Sequence, residues 1–214
     1  MSELLERLSD DFLPRFLAGM VVNFEIAAIA LVVGLALGLL LAAGRLAGGA
    51  LTAITVAIIS LMRAAPTFVV MFFLLNAIPR DATLFGMPFA LSGVITVALS
   101  LGPSRGAYVA HAGVDSVAHL RAGATHGALL FFPNVTRAFF VMVMSSSVGA
   151  AIGVTEGITV ILREAEQLAD FNDRLVLFAI GIVLFGIPLQ AGFMLMSLFQ
   201  RRFGRSTVEE EASA

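Results

Sequence analysis

Five apolar runs govern what this chain can become: Met20–Ala43, Ala50–Ile78, Met87–Ala110, Ala138–Thr155 and Leu175–Phe199. A membrane helix needs roughly 20 apolar residues to cross the hydrocarbon, and only the fourth run falls short of that length. The mean hydropathy is +0.97 and charged residues make up 13% of the chain, about half the roughly 25% of a soluble domain. Too few polar residues remain to cover a water-exposed surface. The expected class is an all-α integral membrane protein with about five transmembrane helices.

Several chemistries are excluded at once. The chain has no cysteine and only three histidines, so disulfides, thiolate chemistry and the usual metal-ligand clusters are not expected. All its basic side chains are arginine, and without lysine there is no Gly-x-x-x-x-Gly-Lys phosphate cradle. The chain therefore does not hydrolyse ATP by that machinery. The chain lacks a convincing nucleophile–base arrangement: the serine cluster lies in an apolar run, and the histidine closest to it, His126, is remote from Ser145. No catalytic residue, resident cofactor or metal site is predicted.

Flanking residues describe the ends. Leu4, Leu5, Leu8, Phe12 and Phe16 recur at three-to-four spacing between charges, the pattern of a short amphipathic helix at the membrane interface over residues 1–16. The membrane domain then spans 17–204, and an acidic flexible tail 205–214 contains Glu209–Glu211. Arg201, Arg202 and Arg205 abut the last span, which places the carboxyl end in the cytoplasm by the positive-inside rule. Five spans put the amino end outside. Glu156, Glu164, Glu166, Asp170 and Asp173 then fall outside as well, either as a docking surface or as a solvated loop.

Within the spans, polar and helix-breaking residues stand out. Arg63 lies inside an apolar stretch, where burial costs roughly 2.5–3.5 kcal/mol on the mildest insertion scale, and Pro66 removes a backbone donor three residues later. A bend is expected there, with Arg63 pairing with Glu25, capping carbonyls or snorkelling to the interface. Gly102-Pro103-Ser104-Arg105-Gly106 and Gly186-Ile187-Pro188 predict further interruptions, and broken, glycine-rich spans fit a transporter better than an anchor. Gly34 and Gly38, extended by Ala30 and Ala42, form a small-residue face for helix packing. Ser145, Ser146 and Ser147 place hydroxyls in the fourth run, where they bond across helices or line a polar path.

From His111 to Arg137 the apolar continuity is lost. Val114, Val117 and Leu120 predict a short amphipathic helix over 113–120, and Gly123 and Gly127 a turn after it. Such a helix between two spans is either a handle for another subunit or a helix resting on the membrane.

The ordered set of motifs resembles the permease subunit of bacterial ABC importers of the polar amino acid uptake group, from about Leu17 to Gly204. Arg63-Ala64-Ala65-Pro66, with Phe72 and Ile78-Pro79 after it, is similar to that group's Arg-Gly-Thr-Pro signature and closing proline. Gly106-Ala107-Tyr108-Val109-Ala110-His111 resembles its Gly-Ala-Tyr-x-Ala-Glu segment, with histidine for glutamate, and Ser116-Val117 its following Ser-Val. Ser147-Val148, Ile152-Gly153-Val154 and Glu156 resemble its Ser-Leu-x-x-x-Ile-Gly-Val-x-Glu stretch. The family's Glu-Ala-Ala-x-x-x-Gly coupling loop survives only as Ala122 and Gly127, with Phe132-Pro133 arriving early, and its Lys-Asp-Thr is Met144-Ser145-Ser146.

The resemblance implies a type I ABC importer permease fold. It also implies a second permease subunit, two cytoplasmic ABC ATPase subunits that use ATP, and an extracytoplasmic solute-binding protein. Its functional expectation is import of an amino acid or related small polar solute across the bacterial inner membrane. Arg63, Pro66, Ser146 and Ser147 would serve translocation or gating, and Val114, Val117, Leu120, Ala122 and Gly127 would couple to the ATPase. The alternative is a non-transporting assembly or regulatory subunit, which the altered coupling loop favours.

Overall fold

The structure is a computed structural model describing residues 11–78, 83–84, 87–88, 91–122 and 131–211. Among them it forms seven α-helices: α1 Leu13–Leu46, α2 Gly49–Ala64, α3 Thr67–Ala77, α4 Gly93–Arg121, α5 Phe131–Ser145, α6 Gly157–Gln167 and α7 Phe171–Glu211. A 3-10 turn, Ser146–Ile152, continues α5. Between α3 and α4 lies a minimal antiparallel hairpin, Thr83–Leu84 with Met87–Pro88. The class is the expected one, an all-α membrane protein.

Three described helical stretches are long and apolar enough to cross a membrane: Leu13–Leu46, Pro133–Ile152 and Phe171–Leu198. The bent pair α2 and α3 supplies a fourth if it is one broken span. The third expected span falls in α4, whose middle is diluted by Gly102, Pro103, Ser104 and Arg105. That stretch is half-buried or buried against neighbouring helices, so protein rather than lipid surrounds much of it. Outward-facing side chains such as Leu40 and Ile182, 70% and 73% exposed, belong instead to surfaces that hydrocarbon would cover.

The most extensive contact in the bundle is between α1 and α4, and its chemistry is glycine on glycine. An added Cβ at Gly34 would lie 3.2 Å from the Gly102 carbonyl oxygen, and one at Gly106 would lie 3.0 Å from the Gly34 carbonyl oxygen. At Gly38 it would lie 2.6 Å from the Gly106 carbonyl oxygen and 2.8 Å from Val109 Cβ. Small residues permit this backbone approach, which dispersion then stabilises without any hydrophobic drive from the lipid. Around the seam Ile26, Ala27, Ala30, Val97, Ala98, Leu101 and Met142 close the main core.

A second seam joins the start of α1 to α6 and α7. Phe12 and Phe16, stacked with ring centroids 5.8 Å apart, are buried with Met20 against Val160, Ile161, Ala165 and Leu177. The aromatic face assigned to an interfacial helix therefore meets protein. α1 also runs through residue 16 without a break, while residues 1–10, including Leu4, Leu5 and Leu8, lie outside the described residues. At the other end α7 carries its helical backbone to Glu211, into the stretch read as a tail.

The prolines behave differently from one another. Pro66 breaks its helix: Ala65 and Pro66 adopt extended backbone (ψ 118° and 130°) and the halves meet at 96°, as expected for a residue before proline driven out of the α region. Pro103 and Pro188, by contrast, sit inside continuous helices. At Pro103 the preceding residue is glycine, which has no Cβ to clash with the ring, and packing on α1 holds the helix together. The interruption expected at Gly102–Gly106 is thus corrected to continuous helix, whereas the break at Pro66 is found.

Gly38→Ala should destabilise the chain by about 1–3 kcal/mol through overpacking, and Gly34→Ala by less, because its methyl meets atoms at 3.2 Å rather than 2.6 Å. Unfolding of the two variants in detergent measures the order.

Candidate functional site

The break at Ala65–Pro66 opens a cavity of about 590 Å³ between the two half-helices and α4. Arg63, Ala65, Pro66 and Thr67 line one side, and Ser104, Arg105, Ala107, Tyr108 and His111 the other. Its polarity follows from where the elements end. The last carbonyls of α2 have no helical acceptor role left to fill beyond the break, and the first N–H groups of α3 are likewise without i−4 partners. Opposite them, the residues at 104, 107, 108 and 111 share one face of α4 by three-to-four spacing.

Side-chain chemistry in the cavity is mostly donor. Arg105 has its Nε buried without a hydrogen-bond partner. Tyr108 donates its hydroxyl to Asn134 Oδ1 at 3.1 Å, and Ser104 donates to the Leu101 carbonyl at 3.0 Å. His111 Nδ1 lies 3.2 Å from the Ala107 carbonyl; a bond there puts the proton on Nδ1 and leaves Nε2 for another partner. Among the described residues no aspartate or glutamate lines the cavity. Of the three readings of Arg63, the pair with Glu25 is not among the ion pairs of the described residues: both side chains are exposed, and the ion pair found there is Arg15–Glu164 at 2.8 Å.

Arg63 and Pro66 thus stand at one cavity, but Ser146 and Ser147 lie elsewhere. Ser146 is fully buried; its Oγ donates to the Val143 carbonyl at 2.7 Å and accepts from Asn23 Nδ2 at 2.7 Å. Ser147 Oγ is buried without a partner. Asn23 is the hub of this second polar cluster, also donating to Glu156 Oε2 at 2.9 Å and accepting the Gly157 N–H at 2.9 Å. Glu156 in turn caps α6, accepting the Ile158 and Thr159 N–H groups at 2.9 Å each and the Thr159 hydroxyl at 3.0 Å.

Two sequence expectations are corrected by that cluster. Glu156 is 0% and Glu164 5% exposed, so neither belongs to a solvated or docking acidic surface. They are held inside because a buried carboxylate needs several donors, which the α6 terminus and Asn23 provide for Glu156 and Arg15 for Glu164. Asn23 was missed. Its signal was available: an amide inside the first apolar run has to find a partner inside protein, whereas the more conspicuous Glu25 faces outward.

Val114, Val117 and Leu120 are on the C-terminal end of α4, which continues unbroken from the third apolar run to Arg121. The separate short helix expected over 113–120 is thus corrected to an extension of a long one. Leu120 is exposed and Val114 and Val117 half-buried, with Ala122 in the turn that follows. Gly123 and Gly127 lie outside the described residues.

No family model and no curated protein matches this chain. Its fold is nevertheless shared. It is similar to a chain in the crystal structure of an amino acid ABC transporter with histidines, with a TM-score of 0.66 and 20% identity over 89% of this chain and 95% of that one. The two chains share one all-α fold.

Glu156→Ala strands two α6 N–H groups and one of the two Asn23 Nδ2 protons, whereas Asn23→Leu strands the Gly157 N–H and takes one of several donors from the Glu156 carboxylate. Each orphaned buried group costs about 1–3 kcal/mol, so Glu156→Ala should lower the unfolding midpoint more than Asn23→Leu in a denaturant titration.

Proposed function

We propose that this chain is the permease subunit of an ATP-driven importer for an amino acid or a related small polar solute. One observation carries the reading: a helix in a membrane bundle is broken by 96° and a cavity with polar lining opens at the break. Irregular backbone in a membrane is tolerated only against protein or a water-filled cavity, and transporters place their solute sites at such discontinuous helices. An anchor or scaffold has no use for this arrangement. The shared fold and the amino acid transported by the structural relative's complex support the solute class.

In this reading the chain lies in the bacterial inner membrane with its amino end outside and its carboxyl end in the cytoplasm. A second permease subunit, the same or homologous, completes the pathway. Two cytoplasmic ATPase subunits use ATP, which this chain does not bind, and an extracytoplasmic binding protein delivers the solute. Arg63 and Pro66 shape the pathway at the break, while Ser146 supports it from the core. The α4 extension with Val114, Val117 and Leu120 carries the ATPase stroke to the cavity, since a continuous helix transmits displacement along its axis to Tyr108 and Arg105.

Reconstituted with its ATPase and binding-protein partners, the chain should show solute-stimulated ATP hydrolysis and uptake. A native complex with neither, across an amino-acid panel, identifies an assembly or regulatory subunit instead. Arg63→Ala should reduce uptake roughly tenfold or more, the scale of one charge-assisted hydrogen bond, and Arg63→Lys less, because lysine keeps the charge and loses the fork. Leu120→Asp, at an exposed site, should weaken co-purification of the ATPase without lowering thermal stability.

A further inference from the structure

The cavity at the broken helix has an arginine on each of its two walls. Arg63 closes α2, Arg105 and His111 face it from α4, and among the described residues no carboxylate lines it. The nearest acid along α4, Asp115, is exposed and outside the lining. Arg105 Nε is buried without a partner, and Arg63 makes no ion pair among the described residues. Two guanidinium groups around one partly enclosed space, with nothing negative between them, raise the local potential and favour an anion there. The guanidinium fork matches a carboxylate in two parallel hydrogen bonds.

The backbone adds a second preference. At Thr67 the α3 N-terminus presents unpaired N–H groups and the positive end of its dipole. Across the Ala65–Pro66 link, the α2 C-terminus presents carbonyls, which accept from an ammonium. An amino acid's carboxylate and ammonium fit the two ends of this break, so Arg105 and His111 remain for its side chain.

We propose that the transported solute is an acidic amino acid, with its side-chain carboxylate held by Arg105 and His111. This rests on the permease reading above and narrows it: a cationic side chain would meet two arginines and no counter-charge, and a neutral amide would leave the buried Arg105 Nε without a charged acceptor. His111 contributes through Nε2, the ring nitrogen not directed at the Ala107 carbonyl.

The test is equilibrium binding of labelled L-glutamate, L-glutamine and L-arginine to the full chain in lipid nanodiscs. Glutamate and glutamine have nearly the same shape, so their difference reads charge. Glutamate should bind at least about tenfold tighter than either competitor. Arg105→Gln should remove most of that preference. His111→Glu, which installs the acid the wall lacks, should reverse it towards arginine, and arginine binding by this variant shows that it is folded with its site intact. Equal affinity for glutamate and glutamine, or tighter arginine binding by the unaltered chain, overturns the acidic assignment. So does the absence of saturable binding of all three to chain whose cooperative thermal unfolding shows it folded. The permease reading is judged separately, by stimulated ATP hydrolysis in the complex, and survives any of these results if stimulation by another solute is seen.

Discussion

The close approach of α1 and α4 is the contact on which the rest of the bundle depends. Lipid offers no hydrophobic reward for bringing two helices together, so the approach is stabilised by backbone-to-backbone van der Waals contact, and only residues without side chains permit it. Gly34, Gly38, Gly102 and Gly106 occupy that seam. With α4 held there, the face bearing Ser104, Arg105, Tyr108 and His111 is turned to α2 and α3, and the cavity exists only because that face and the Pro66 break meet. Displacing α4 by a methyl group would alter the cavity wall before any residue in it was changed.

Two polar centres follow opposite rules within this frame. Around Asn23 and Glu156 nearly every hydrogen-bonding atom is matched inside the protein, joining α1, the 3-10 turn and α6 into one rigid unit. A satisfied buried network stiffens and specifies. Around Arg63 and Arg105 the donors outnumber the acceptors, and an arginine nitrogen is left over. The first centre is complete in itself, whereas the second is complementary to something else. Proximity in the chain does not distinguish them: Ser146 and Ser147 are adjacent to each other in sequence, yet the hydroxyl of Ser146 is bonded in the core and that of Ser147 is not.

The α4 helix connects these arrangements to its own exposed C-terminal end. Its C-terminal part leaves the core at His111 and becomes progressively more exposed towards Leu120, while its middle carries the cavity wall. A single rod thus spans the exposed end at Leu120 and the cavity wall at Arg105 and Tyr108. No flexible joint lies between them, because Val114 and Val117 continue the same helix rather than forming a separate loop element.

By itself the sequence determined the class. Long apolar runs dictate membrane helices because hydrocarbon leaves no other partner for the backbone, and the bend at Pro66 follows from a missing N–H and a crowded neighbour. The small face of Gly34 and Gly38 was legible for the same local reason. What it did not determine was which polar residues share a space. Glu156 and Glu164 read as solvated because their neighbours in the chain are charged, but their neighbours in the fold are Asn23 and Arg15, more than a hundred positions away. Pro103 and Pro188 read as breaks because propensity is local, while packing holds those helices continuous. Partnership between side chains on different helices is decided by how the helices cross, and crossing is a property of whole surfaces that no window of sequence contains.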